Sequence, residues 1–394
     1  MQRRATDGGA HRKAAEVTVM IHVDIVGSFL RPEPLKAAFA AHAAGDLSES
    51  QLAGAEDEAI GKLIATEERL GLPIVTDGEF RRRQFMESFS VVAGMEPWLQ
   101  SVLALEEHRR ATAAPSPLTQ ETGNEVRRPV TERLRLVRNK VADEYRYAAS
   151  LTDRPVKVTL IGPDRLSQRY AYEESTTIYP DAGAFVDDVV RVQREMIAEL
   201  RDAGCRYVQI DEPGFTSYVD SQRLAAMRSR DEDPDANLSR SIAANNAIVE
   251  AFPGVTFGVH LCRGNARSQW HRSGTYDAIA ERLFTGLAQQ RLLLEYDDER
   301  SGNFTPLRFV PKGKVVVLGL ITTKRPQLET VDELRRRIDD ASRYVPTEQL
   351  ALSPQCGFAS SIEGNLISED DQWRKIEVML RTAEAVWGRA ATPV

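Results

Sequence analysis

Short apolar runs recur along the chain, separated by longer stretches in which apolar residues return every three to four positions. The runs are "VDIVGS" (23–28), "PIVTD" (73–77), "VKVTLIG" (156–162), "YVQID" (207–211), "VTFGVHLC" (255–262), "RLLLEY" (291–296), "KVVVLGL" (314–320) and "QLALS" (349–353). They are rich in Val, Ile and Leu and almost continuous, as strands buried on both faces should be. Between them a 3.6-residue period predicts helices over 34–44, 49–70, 182–203, 237–251, 274–288, 329–343 and 368–387. The stripe in 182–203 stops at "GC", a C-terminal signal. Eight strands alternating with helices imply an α/β fold, a parallel (β/α)8 TIM barrel built as one domain over residues 21–390. An open doubly wound sheet is the main rival. No glycine-rich dinucleotide loop follows the first strand, which counts against it.

The region 85–155 breaks the alternation. It contains "ATAAPSPLTQETGNEVRRP" (111–129), a Pro/Ser/Thr-rich stretch of loop character. It reads as an insertion after the second strand, with a helical or hairpin excursion placed to cover the mouth of the barrel. Residues 1–20 open with "MQRRATDGGAHRKAAEV", a polar stretch without the apolar segment of a signal peptide, and read as a flexible extension.

Composition narrows the partners. The net charge is −7, with both signs spread along the 394 residues and no basic stripe, which argues against nucleic acid. No apolar run reaches the roughly 18 residues of a membrane span. Three cysteines are too few for a disulfide framework, so a reducing, cytoplasmic location is expected. In that setting sparse Cys beside His points to metal binding or catalysis.

The polar residues at the ends of the apolar runs carry the chemistry. His260 and Cys262 end the fifth run, two residues apart and hence on one side of a strand. Glu295 ends the sixth, and Cys356 follows the eighth in "SPQCGF". Asp211 and Glu212 end the fourth, Glu79 follows the second in "TDGEF", and Ser28 ends the first. In a barrel all of these converge on the C-terminal face, where active sites form. His260, Cys262, Glu295 and Cys356 offer one nitrogen, two sulfurs and a carboxylate, a mixed set that suits Zn²⁺. Taken singly, a Cys or His is more often a core residue. Cys205 precedes the fourth run, at the opposite end, and reads as structural. Arg31, Arg165 and Lys324 lie near other strand ends, where a cation suits a phosphate, sulfonate or carboxylate.

The motifs "VGSF", "DGEF", "VQIDEP", "HLC" and the later "CG" resemble the C-terminal catalytic barrel of cobalamin-independent methionine synthase, over residues 21–390. The series "HLCRGN", "LEYDDERSGNF", "VVLGLITTK" and "SPQCGF" is closer still to single-barrel bacterial relatives of that enzyme. A zinc-dependent epoxyalkane–coenzyme M transferase is also similar. The resemblance implies that His260, Cys262, Glu295 and Cys356 bind zinc, and that Ser28, Glu79 and Asp211, with Glu212 beside them, hold the amino-acid part of homocysteine. Three departures stand out. The second, folate-holding barrel of the full-length enzyme has no counterpart here. Pro163 of "VTLIGP" stands where the family's "VTILNW" has a pterin-stacking Trp, and Thr322 of "LITTK" stands where "DIHSP" has a His.

The expected reaction is zinc-dependent alkylation of a small thiol, first of all methyl transfer to homocysteine giving methionine, with methylfolate, a methylated corrinoid or another electrophile as donor. Alkylation of another thiol, such as coenzyme M by an epoxide, is the second reading, and a non-catalytic zinc- or thiol-binding barrel the third. A metal-free lyase on the same barrel is disfavoured by the four-ligand set. Other roles stay open for single residues: Glu79 pairing with Arg81 or Arg82, Asp211 as a helix cap, Ser28 as a turn former.

Overall fold

A computed structural model of the protein describes residues 21–96 and 127–388. Its centre is a parallel sheet of six strands: β3 (Lys157–Ile161), β4 (Tyr207–Asp211), β5 (Thr256–Leu261), β6 (Arg291–Glu295), β7 (Val315–Ile321) and β8 (Leu350–Pro354). They pair in chain order, β3 to β8, and every residue of β3, β4, β6, β7 and β8 is buried. The register sets the C-terminal face: Asp211 stands opposite His260 and Glu295 opposite Gly319.

The first two staves of the barrel are extended segments rather than full strands. Val23 bridges in parallel to Leu352 of β8, and Val75 bridges in parallel to Val156 beside β3. The two segments meet each other where Phe29 donates to the carbonyl of Gly78 and Thr76 Oγ1 donates to that of Gly27. Eight staves thus close the (β/α)8 ring. Charge fastens the short first stave at the N-terminal end. Lys157 Nζ donates to Asp24 Oδ1 at 2.7 Å and to Gln209 Oε1 at 2.9 Å, while Asp24 Oδ2 accepts from Tyr207 and Arg291. This network is fully enclosed, and burial of ions is tolerable only when they are paired in this way. Above it Val26, Leu293, Val315, Val317 and Ala351 form a small apolar cluster. The main core lies between the sheet and the helices.

Helices Glu33–Ala44, Glu49–Leu70, Ala182–Asp202, Val331–Ser342 and Glu369–Trp387 fall where the apolar period predicts them. The capping boxes at Ser48, Thr330 and Ser368 start three of these. One expectation needs correction. The stretch 274–288 holds a 3₁₀ turn, Tyr276–Ala278, and a short helix, Ala280–Gly286. The region 85–155 is less foreign than its composition suggests. Its last part is the helix Lys140–Ala149, which packs between Glu49–Leu70 and Ala182–Asp202 as a regular member of the outer ring. The remainder includes an antiparallel pair, β1 (Val91–Ala93) with β2 (Arg135–Arg138). Most of the 111–129 stretch lies outside the described residues. Among the described residues, no helix is long and apolar enough to cross a membrane.

Candidate metal and thiol site

The C-terminal ends of β5 and β6 and the residues just after β5 and β8 bring His260, Cys262, Glu295 and Cys356 into one group. Each offers a ligand atom, and all four atoms lie within 4.8 Å of one another. The Cys262 and Cys356 sulfurs are 3.5 Å apart. A tetrahedral zinc with sulfur at about 2.3 Å needs sulfurs separated by about 3.8 Å, so a small adjustment admits the ion. The imidazole of His260 is 2% exposed, and neither ring nitrogen has a hydrogen-bond partner. A buried imidazole with two unsatisfied nitrogens is costly unless something else engages it. Donor set, spacing and orphaned nitrogens all fit a zinc ion.

The surroundings fix these side chains. Cys262 Sγ accepts the N–H of Gly264 at 3.3 Å, and the Cys262 carbonyl accepts Thr216 Oγ1 at 2.7 Å. Glu295 is held at both oxygens: Oε1 by the N–H of Arg263 at 2.8 Å, Oε2 by Arg300 Nη2 at 2.9 Å. Arg300 in turn bonds Asp297 at 2.8 Å. Lys324 Nζ donates to the Gly264 carbonyl and to Asn265 Oδ1 at 2.8 and 2.7 Å, and Asn265 Nδ2 donates to the Gly357 carbonyl at 2.6 Å. The loops after β5, β7 and β8 are therefore tied together next to the sulfurs.

The electrostatics follow from burial and crowding. The bond to Cys356, helped by His260, holds the Cys262 thiol well below its usual range. Cys356, facing that negative sulfur, is pushed well above it. Burial, then the Cys262 charge, pushes Glu295 up to about 7. Burial opposes protonation of His260, but Cys262, Asp211 and Glu295 outweigh it and raise the group. Three acidic ligands around one imidazole make a place for a divalent cation.

Glu79, Asp211 and Ser28 border the same space. Glu79 sits at φ +59°, a left-handed conformation uncommon outside glycine, and is 3% exposed. Its Oε1 accepts Thr159 Oγ1 at 2.8 Å, whereas Oε2 has no partner. Pairing with neighbouring arginines does not absorb it. Arg82 is 3.7 Å from Glu79 but is bonded to Glu144 at 2.7 Å, and Arg81 pairs with Glu56 and Asp57. Asp211 accepts Gln209 Nε2 at 2.6 Å and is pushed up to about 7, by burial first, with the Glu79 charge adding to it. Ser28 lies against the Cys356 loop: a Cβ on Gly357 would stand 2.0 Å from Ser28 Oγ. Glycine there is what lets the two loops touch.

Glu212 is not brought into this group. Its carboxylate turns outward to the N–H groups of Asp164 and Arg165, both at 2.9 Å, to that of Gly214 at 3.3 Å, and to Asn245 Nδ2 at 3.4 Å. Those four donors fill a carboxylate's acceptor capacity, so Glu212 braces the turns after β3 and β4. Pro163 opens the short helix Pro163–Ser167, and Thr322 donates its N–H to Glu329. Neither provides an aromatic face or an imidazole. Among the described residues, the imidazole on this face besides His260 is His271, whose ring packs on Gly264, with Nδ1 2.2 Å from where a Cβ would stand. Arg300 and His271 gave no sequence signal, because folding of the loops alone decides their neighbours.

Comparison with known proteins places this arrangement. Residues 21–369 match the family model described as "Cobalamin-independent synthase, Catalytic domain". The chain is 36% identical over 370 residues to YxjH of Bacillus subtilis, an uncharacterized protein, covering 92% of this chain and 94% of that one. It is 24% identical to a methionine synthase of Pyrococcus abyssi, covering 86% of each chain. A structure from Listeria monocytogenes, solved as a candidate vitamin-B12 independent methionine synthase, superimposes with a TM-score of 0.72 at 28% identity, covering 93% of this chain and 98% of that one. The chain belongs to the family of the cobalamin-independent synthase catalytic domain.

Proposed function

We propose that this protein is a zinc-dependent thiol alkyltransferase that methylates homocysteine to give methionine. The observation that carries the reading is one of adjacency. A four-ligand metal set adjoins two buried carboxylates, one of which, Glu79, keeps an oxygen with no partner. Zinc, when bound, supplies acidification of the substrate thiol, since a coordinated thiol loses its proton near neutral pH. His260, Cys262, Glu295 and Cys356 would hold the ion. Glu79 and Asp211 would take the substrate ammonium, whose charge relieves their mutual repulsion, and Ser28 its carboxylate. Arg300 and the Arg263 N–H hold Glu295 from its far side, so this ligand has a place to rest when a thiol approaches.

Coenzyme M as the thiol fits less well, because it lacks an ammonium and would leave the second oxygen of Glu79 buried without a partner. Family membership argues against a binding-only barrel, and turnover separates the two. The Pyrococcus abyssi methionine synthase aligns with this chain over 86% of its own length, which supports reading the activity on a chain of this extent. The test is product analysis of the zinc-loaded protein with a panel of thiols and alkyl donors. Methionine formation from homocysteine is expected. Turnover confined to thiols without an amino group, or none with any pair, would overturn the reading.

A further inference from the structure

Glu79 and Asp211 each end a hydrogen-bonded chain, and the two chains have the same polarity. Residues two apart on a strand face the same side, and the inward positions of a barrel are usually filled by branched apolar side chains. On β3 and β4 polar groups stand there instead: Lys157 and Thr159 on the one, Gln209 and Asp211 on the other. All four are buried, and Thr159 pairs with Gln209 in the register. Well-packed apolar residues hold a core as well as buried ions do, or better, so this polar filling calls for another role.

The first chain starts at Lys157. An ammonium group has three donors and no acceptor. Lys157 Nζ gives them to Asp24 Oδ1 at 2.7 Å, to the Ile25 carbonyl and to Gln209 Oε1 at 2.9 Å. The Gln209 amide cannot turn round, because its NH2 would then meet the ammonium. That NH2 donates to the Val26 carbonyl at 2.8 Å and to Asp211 Oδ1 at 2.6 Å. The second chain starts at Arg82, which also can only donate. Arg82 Nη1 donates to Thr159 Oγ1 at 2.8 Å, so the one hydroxyl proton of Thr159 is directed to Glu79 Oε1, likewise at 2.8 Å. Arg82 Nη1 itself stands 3.7 Å from Glu79 Oε1, beyond a normal hydrogen bond. In both chains a buried cation fixes a neutral relay, and the relay fixes one carboxylate oxygen as an acceptor. The other oxygens, Glu79 Oε2 and Asp211 Oδ2, have no partner among the described residues. Two spare acceptors suit a substrate ammonium, which can only donate. We propose that Thr159 and Gln209 are positioning residues for the substrate amino group, with Arg82 and Lys157 setting their polarity. The pocket thereby selects a thiol that carries an ammonium. This rests on the alkyltransferase reading.

The experiment compares homocysteine with 4-mercaptobutyrate, the same thiol without its amino group, on the cobalt-substituted full-length protein, whose absorption spectrum reads thiol ligation. The ratio of the two dissociation constants separates recognition of the ammonium from binding at the metal. Wild type should prefer homocysteine about 100-fold, the worth of two hydrogen bonds to charged groups. Thr159→Val keeps the shape and removes the hydroxyl, and Gln209→Met removes the amide. Each should cut the preference about tenfold, the worth of one such bond, while 4-mercaptobutyrate binds as before. Thr159→Ser, which keeps the hydroxyl, should retain the preference. Lys157→Met, which frees the Gln209 amide to turn, should lower it. Equal losses for both thiols, or an unchanged preference in folded Thr159→Val and Gln209→Met proteins, would overturn the positioning role. A preference kept in Lys157→Met would overturn Lys157 as the group that sets the amide. No preference in wild type would refute the ammonium pocket and the positioning role with it. A spectrum that neither thiol alters would refute the alkyltransferase reading itself.

Discussion

Replacing Arg300 by leucine removes the group that grips Glu295 from outside. The Arg300–Glu295 contact is 2.9 Å long, with side chains 4% and 0% exposed, so water cannot take over the lost bond. A hydrogen bond to a charged group is worth about 1.5–3 kcal/mol, which corresponds to about 10- to 150-fold in affinity. That range overlaps the usual cost of losing a partner that orients a metal ligand. Arg300→Leu should therefore weaken zinc binding about 10- to 150-fold, and Arg300→Lys less, since charge survives without the planar fork. Competition with a calibrated chelator measures this, well below the unfolding temperature of each variant. Arg300 also bonds Asp297 and Asp298, so Asp298→Asn serves as the control for loosening of the loop and should change zinc affinity little. Unchanged affinity in a folded Arg300→Leu protein would refute Glu295 as a ligand held from this side.

Asp211→Asn should raise the KM for homocysteine about 10- to 100-fold, the worth of a charged hydrogen bond, while zinc content stays constant; an unchanged KM would remove Asp211 from the substrate. Zinc affinity should fall as pH falls, by about tenfold per unit through neutrality, because Cys356, whose proton is held well above the usual range by the adjacent Cys262, must release it on metal uptake; a flat chelator-competition profile from pH 6 to 8 would contradict this. Lys157→Met should cost about 3 kcal/mol in chemical denaturation, the lower end for breaking a buried pair, because Asp24 keeps Arg291 and Tyr207; a loss within error would mean that the network does not fasten the first stave.

The six-stranded sheet was legible because strands buried on both faces are written as continuous apolar runs, and β3 to β8 lie within a residue or so of those runs at either end. The first two staves read just as well but form single bridges, since pairing there is handed to side chains such as Asp24 and Thr76. The helix Lys140–Ala149 was hidden by a polar sequence, "KVADEYRYAA", adjoining a Pro/Ser-rich stretch. The segment 274–288 misled in the opposite direction. Its apolar spacing reads as one helix, yet Tyr276 and Ile279 are drawn into the core by a 3₁₀ turn instead. At the site, the four residues that the structure groups could be picked out because Cys is rare and each falls at a strand end. Asp211 and Glu212 are neighbours of one chemical type, and sequence cannot tell which faces inward. The alternation of a strand end decides it: Asp211 turns in toward Gln209, Glu212 out to the Asp164 and Arg165 amides.

X-ray absorption at the zinc edge, with and without homocysteine, tests the central claim most directly. The account predicts about one zinc per chain bound by two sulfurs and two lighter atoms, gaining a third sulfur when homocysteine is added. It also predicts loss of most of the metal in Cys262→Ser and Cys356→Ser. A zinc shell without two sulfurs, or one that homocysteine leaves unaltered, would contradict it.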